Sequence, residues 1–100
     1  MRELEQKKLL TIITSQQLEK MILSRLRKHE IGGYTVATAH GAGANGIQSG
    51  MLDVDTNILI YIIISEARLV GVLEEIDAMM DQSYRLKAIV TDISILPRKP

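Results

Sequence analysis

"YTVATAHGAGANGIQSGMLDVDTNILIYIII", residues 34–64, holds two strand-like runs separated by a stretch that gives up most of its apolar residues. Residues 34–39 alternate, and residues 57–64 form the most hydrophobic run of the chain. Between them lie four glycines, Gly41, Gly43, Gly46 and Gly50, and the acidic "DVD" of residues 53–55. Connections inside compact domains usually take about 2–6 residues, and structureless ones beyond roughly 12 tend to be functional or disordered. The loop of about 41–56 is therefore read as a functional feature. Residues 44–55 carry few large apolar anchors, so ordering them costs more entropy than local contacts return, and mobility is the expectation.

Upstream, "KLLTIIT" (8–14) is a short run rich in β-branched residues, and Thr14 with Gln17 makes a capping-box start for a helix over about 15–30. That helix carries Leu18, Met21, Ile22 and Leu26 at helical spacing and is expected to stop at Gly32 and Gly33. Downstream, Ser65 is an N-cap candidate and Glu66 favours the first turn of a helix bearing Leu69, Val72, Leu73, Ile76, Met79 and Met80. "KAIVTDISIL" (87–96) reads as a last strand, ended by Pro97. The order β-α-β-β-α-β is that of an α+β, ferredoxin-like domain with a four-stranded antiparallel sheet, a single domain over residues 1–100.

An antiparallel sheet with helices on one face usually alternates apolar and polar residues. Here it does not. Ile58, Ile60, Ile62 and Ile64 would share one face, and Leu59, Tyr61 and Ile63 the other; Leu9 and Ile13 oppose Leu10 and Ile12 in the same way. Two helices cover one face, so a second copy of the chain is the simplest cover for the other, and a homo-oligomer is expected.

Composition narrows the chemistry. The 12 basic and 12 acidic residues cancel, which gives no general field for nucleic acid or an anionic membrane. There is no cysteine, hence no disulfide, zinc-thiolate site or thiol nucleophile, and a metallochaperone is disfavoured. The charged opening "MRELEQKK" is no signal peptide, and the apolar run 58–64 is far short of the roughly 18 residues of a membrane helix, so a cytoplasmic protein without membrane insertion is expected. RNA binding on this fold wants aromatic platforms, and the chain has no Phe, no Trp and three Tyr. His29 and His40 read as surface or loop residues, Asp53 and Asp55 as a solvated acidic pair, and Ser49 lies in no nucleophile elbow. Neither an enzyme nor a metal site is expected. Gly41 and Gly43 stand where a strand becomes the loop; they serve either a turn or a nest of main-chain N–H groups for an anion.

The phrase "IGGYTVATAHGAG", with Gly-Tyr-Thr-Val followed by Gly-x-Gly six residues after Thr35, resembles the PII-like signalling proteins, and the resemblance runs over about residues 8–98. It implies a homotrimer with nucleotide pockets between subunits, beside the base of a long effector loop, the T-loop, here about 41–56. It places Ile12 and Ile63 on the adenine side of the pocket, Thr35 at base or ribose, Gly41 and Gly43 as amides facing phosphate, and Lys87 and Arg98 as phosphate-meeting cations.

Departures from the family pattern set the expected ligand. The Gly-rich second loop of the nitrogen regulators is replaced by the short "MDQSYRL", which removes donors for a third phosphate. The T-loop has no tyrosine, and Ala44 and Asn45 follow Gly-x-Gly in place of a glutamine or arginine. The short form is similar to the branch linked to bicarbonate transport and carboxysomes. The expectation is a regulator that binds AMP or ADP, with bicarbonate a candidate second ligand, needs no cofactor, and acts through its T-loop on a protein partner such as a transporter or carboxysome component. The alternative is a structural or interaction trimer with a degenerate nucleotide pocket that docks to a protein partner.

Overall fold

The computed structural model describes residues 1–40 and 57–98. Four strands and two helices follow in order: β1 (Glu5–Ser15), α1 (Glu19–Leu26), β2 (Thr35–Ala39), β3 (Asn57–Ile64), α2 (Glu66–Asp81) and β4 (Leu86–Ile95). Short 3₁₀ turns, Gln16–Leu18 and Arg27–His29, flank α1. The strands form one antiparallel sheet in the order β2-β3-β1-β4, the expected ferredoxin-like arrangement.

Parity along the strands divides the side chains between two faces. Leu10 and Ile12 of β1 and Ile58, Ile60, Ile62 and Ile64 of β3 are buried beneath the helices. There they meet Ile22, Leu23 and Leu26 from α1 and Leu69, Val72, Ile76 and Met79 from α2 in one hydrophobic cluster. The opposite face carries Leu9, Thr11 and Ile13, which pair with Ile63, Tyr61 and Leu59, and beyond them Ile89 and Thr91 of β4. Among the described residues no second layer covers this face, and Ile63 and Ile89 stay 49% and 42% exposed. The doubly apolar strands read from the sequence are present as such.

The helix ends differ from expectation. Thr14 caps nothing; its Oγ1 donates to the Arg85 carbonyl at 2.9 Å and ties the end of β1 to the start of β4. The turn after α1 is closed by Glu30 in the left-handed region at φ 54°, two residues before Gly32. Ser65 does cap α2, its side chain accepting from the Arg68 amide at 3.3 Å.

Two ion networks fasten the layers. Lys8 of β1 joins Asp92 of β4 and Glu66 of α2, and these carboxylates, Asp92 foremost, hold its ammonium above the usual lysine pKa. Between the helices, Arg25 places Nε and Nη2 at 2.7 and 2.6 Å from Glu75 Oε2, and Nη1 donates to Gln82 at 2.7 Å. His29 Nε2 lies 3.1 Å from Glu75 Oε1. The His29 hydrogen bond, then that of Arg25, holds the Glu75 carboxyl below the usual glutamate value. His29 is thus a helix-linking residue.

Candidate functional site

Gly32 at φ 71° and the adjacent Gly33 turn the chain into β2. Added Cβ atoms at these two positions would meet nothing within 4 Å, so the backbone here is open on its outer side. Tyr34 and Thr35 follow directly, the latter paired with Tyr61 of β3. Two ladder positions further along β3, Ile63 pairs with Leu9 of β1. After Ile95 the chain leaves the sheet and brings Arg98 to the same place.

The result is a cleft of about 660 Å³, open to solvent along one side and lined by Leu9, Gly33, Tyr34, Thr35, Tyr61, Ile63 and Arg98. Its size falls within the range of small-molecule sites, roughly 300–1,000 Å³. Chemically it offers a floor of aliphatic and aromatic side chains, hydroxyls from Thr35 and the two tyrosines, and one permanently charged group, the exposed Arg98. That set suits a flat apolar group joined to an anion, since the guanidinium fork matches phosphate or carboxylate oxygens. Among the described residues no group of three or more His, Asp or Glu side chains could hold a metal ion. Nor is any described helix long and apolar enough to cross a membrane.

Of the residues singled out in the sequence, Thr35, Ile63 and Arg98 meet in this cleft. Ile12 requires correction. It pairs with Ile60, not with Ile63, and is fully buried on the helix-covered face, so it cannot line a site on the opposite side of the sheet. Leu9 occupies the place expected of it, three residues away and of opposite parity. Lys87 is on the open face but pairs with Ile13, four positions along β1 from Leu9, roughly 13 Å at about 3.3 Å per residue. Gly41 and Gly43, and the loop of about 41–56 with its expected mobility, lie outside the described residues. The strand ends that carry this segment, Ala39 and Asn57, pair at the opposite end of β2 and β3 from the cleft.

Sequence reasoning misses Leu9, Gly33, Tyr34 and Tyr61 as site residues. Tyr61 shares a face with Ile63 by simple alternation along β3, so parity can find it, whereas Leu9 is found only through the β1–β3 register. Tyr34 carries a different signal, since two of the chain's three aromatic residues, Tyr34 and Tyr61, line the cleft.

The profile of the family described as "Nitrogen regulatory protein P-II" matches residues 7–97. No curated protein matches the chain in sequence. Among solved structures, a PII-like signaling protein from Thermus thermophilus is 28% identical, with 94% of this chain and 93% of that one covered and a TM-score of 0.75. CPII from Thiomonas intermedia, a PII-like protein bound to ADP, AMP and bicarbonate, is 23% identical over 97% of this chain and 94% of its own, with a TM-score of 0.84. A DUF3240 family protein from Shewanella baltica superimposes with a TM-score of 0.68 at 16% identity, covering 87% of this chain and 89% of its own. A profile match over residues 7–97, carried on a sheet and helix pair of the same architecture, leaves one assignment: the chain belongs to the nitrogen regulatory protein P-II family.

Proposed function

We propose that the protein is a trimeric, non-enzymatic regulator that binds AMP or ADP at the open face of its sheet and signals to a protein partner through its T-loop, about 41–56. The observation that carries this reading is the meeting of Thr35, Ile63 and Arg98 in one cleft. In it, Ile63 and Leu9 pack on the base, the Thr35 hydroxyl bonds base or ribose, and Arg98 takes phosphate. Lys87 lies about a strand's length from the cleft in the same chain, and the loop-base glycines Gly41 and Gly43 lie outside the described residues. In this reading they meet phosphate from the copy that covers the open face, which is why the site needs the oligomer. The absence of a Gly-rich loop at residues 80–86 leaves few donors for a third phosphate. Bicarbonate enters the proposal because the Thiomonas protein of the same fold is bound to ADP, AMP and bicarbonate. A bicarbonate transporter or a carboxysome component is the class of partner that fits.

Calorimetry with AMP, ADP and ATP, each with and without bicarbonate, tests the reading. AMP and ADP should bind at least as tightly as ATP. Arg98→Ala should cost about 1.5–3 kcal/mol, ten- to a hundredfold in affinity, as expected for a hydrogen bond to a charged group. Failure of all three nucleotides to bind below about millimolar would reject the sensor in favour of the trimer with a degenerate pocket that docks to a protein partner.

A further inference from the structure

Tyr34 sits between Gly33 and Thr35, all three lining the cleft, yet its hydroxyl is engaged elsewhere. Arg27, on the 3₁₀ turn behind α1, donates from Nη2 to Tyr34 Oη at 2.7 Å. Its guanidinium carbon lies 5.5 Å from the ring centroid. Tyr34 is 38% exposed, so burial alone does not hold the ring, and the contact with the exposed Arg27 is the further restraint on it. A tyrosine whose polar end is occupied turns its apolar π-surface to whatever enters beside it. An exposed aromatic ring held still in this way loses little further freedom when a flat group stacks on it.

We infer that Tyr34 is the stacking wall for the base of the nucleotide, and that Arg27 is the positioning residue that holds it there. This rests on the adenine-nucleotide reading above and divides its cleft into two parts. Tyr34 and Arg27 serve the base, and Arg98, on the chain's C-terminal segment, serves the anion. The two arginines therefore have separable roles: one touches ligand, the other acts through a tyrosine. Tyr61 belongs to the floor with Leu9 and Ile63, because it projects from mid-strand and not from the lip.

The division is read by measuring adenosine, AMP and ribose 5-phosphate binding to the full chain by calorimetry. Tyr34→Leu should weaken adenosine and AMP at least fivefold, the lower end of what base–aromatic stacking supplies, and leave ribose 5-phosphate unchanged. Arg27→Ala and Tyr34→Phe, which keep the ring but release it, should produce smaller losses of roughly two- to fivefold, again for adenosine and AMP alike. Arg98→Ala should do the reverse, weakening AMP and ribose 5-phosphate while sparing adenosine. Because the chain has no tryptophan, tyrosine emission is readable directly, and adenosine should quench a component that Tyr34→Leu lacks. If the wild-type chain binds AMP while Tyr34→Leu matches it on every ligand, or loses all three ligands equally, the inference is overturned alone. If the wild-type chain binds none of adenosine, AMP and ADP, the nucleotide reading is overturned and the inference with it.

Discussion

Gly71, in the middle of α2, lies directly beneath the ring of His29: a Cβ built on it would stand 3.0 Å from His29 Nδ1. Glycine inside a helix costs about 1 kcal/mol relative to alanine, so its presence here has a local cause. It makes the seat that lets the imidazole reach Glu75 at 3.1 Å. Gly71→Ala should therefore stabilise by clearly less than about 1 kcal/mol, because the ring must shift and its bond to Glu75 weakens. In a His29→Ala background the same change should yield the full amount, about 1 kcal/mol. Thermal or urea unfolding of the four members of this cycle measures the coupling; equal effects in both backgrounds would show that the ring and the glycine are independent.

The same network fixes an acid limb. Glu75 is held below its ordinary pKa by His29 and then Arg25, so its ionised form favours the folded state. That contribution is complete above the unfolded-state value of about 4.3 and disappears as pH falls through the lower folded-state value. Glu75→Gln keeps the shape and removes the charge. It should lose about 0.5–1 kcal/mol at neutral pH, the scale of a partly exposed ion pair, with the gap to wild type closing on acidification below about pH 4. A gap that widens on acidification would reverse the assignment.

Which parts of this architecture are legible in the sequence follows from how local their causes are. The β3 strand expected at residues 57–64 is Asn57–Ile64, because an isoleucine-rich, almost wholly apolar run ending at an N-cap serine is a local signal. The β1 run expected at 8–14 begins instead at Glu5, since Glu5, Gln6 and Lys7 become strand only through Ile95, Ser94 and Ile93 across the sheet. Thr14 reads as a cap in sequence because its true partner, the Arg85 carbonyl, lies far along the chain. The site is legible by residue type and less so by face. Ile12 and Leu9 are both aliphatic members of one strand, and only pairing with Ile60 or Ile63 tells which reaches the cleft. Arg27 is out of reach, since its role depends on a turn geometry that brings it to Tyr34.

The end of α2 carries a second local cost. Ser83 is in the left-handed region at φ 72°, with its amide bonded to the Met80 carbonyl at 2.9 Å and that of Tyr84 to the Met79 carbonyl at 3.1 Å. These two bonds are the helix-terminating pattern in which glycine is the usual residue at the left-handed position. Serine there bears a steric cost of roughly 1 kcal/mol that glycine does not. Ser83→Gly should raise stability by about 0.5–1 kcal/mol, partly offset by the greater freedom of glycine in the unfolded chain. Ser83→Val should lower it by more than the same amount. Unfolding midpoints of the two variants, with no change in denaturant dependence, are the check; destabilisation by glycine would mean that the side chain contributes more than its strain.

Assembly is the prediction on which the proposed site depends. Leu9, Ile13, Leu59, Ile63 and Ile89 lie on one sheet face, opposite the helix-covered core, where Ile63 and Ile89 stay 49% and 42% exposed. Exposed apolar faces of this kind on a lone chain are aggregation hazards, and the mutual cover of identical copies removes them. Ile89, 42% exposed on the outermost strand, is outside the cleft, so a change there probes assembly without touching a ligand-binding residue. Light scattering at micromolar concentration should give the mass of a trimer for the wild-type chain. Ile89→Asp, which would place an unpaired charge in the covered face, should dissociate it and lower its unfolding temperature in a concentration-dependent way. AMP binding should fall in parallel, since Lys87 and the loop-base glycines would no longer arrive from the neighbouring copy. A folded wild-type monomer that binds AMP unchanged would refute both the assembly and the shared site.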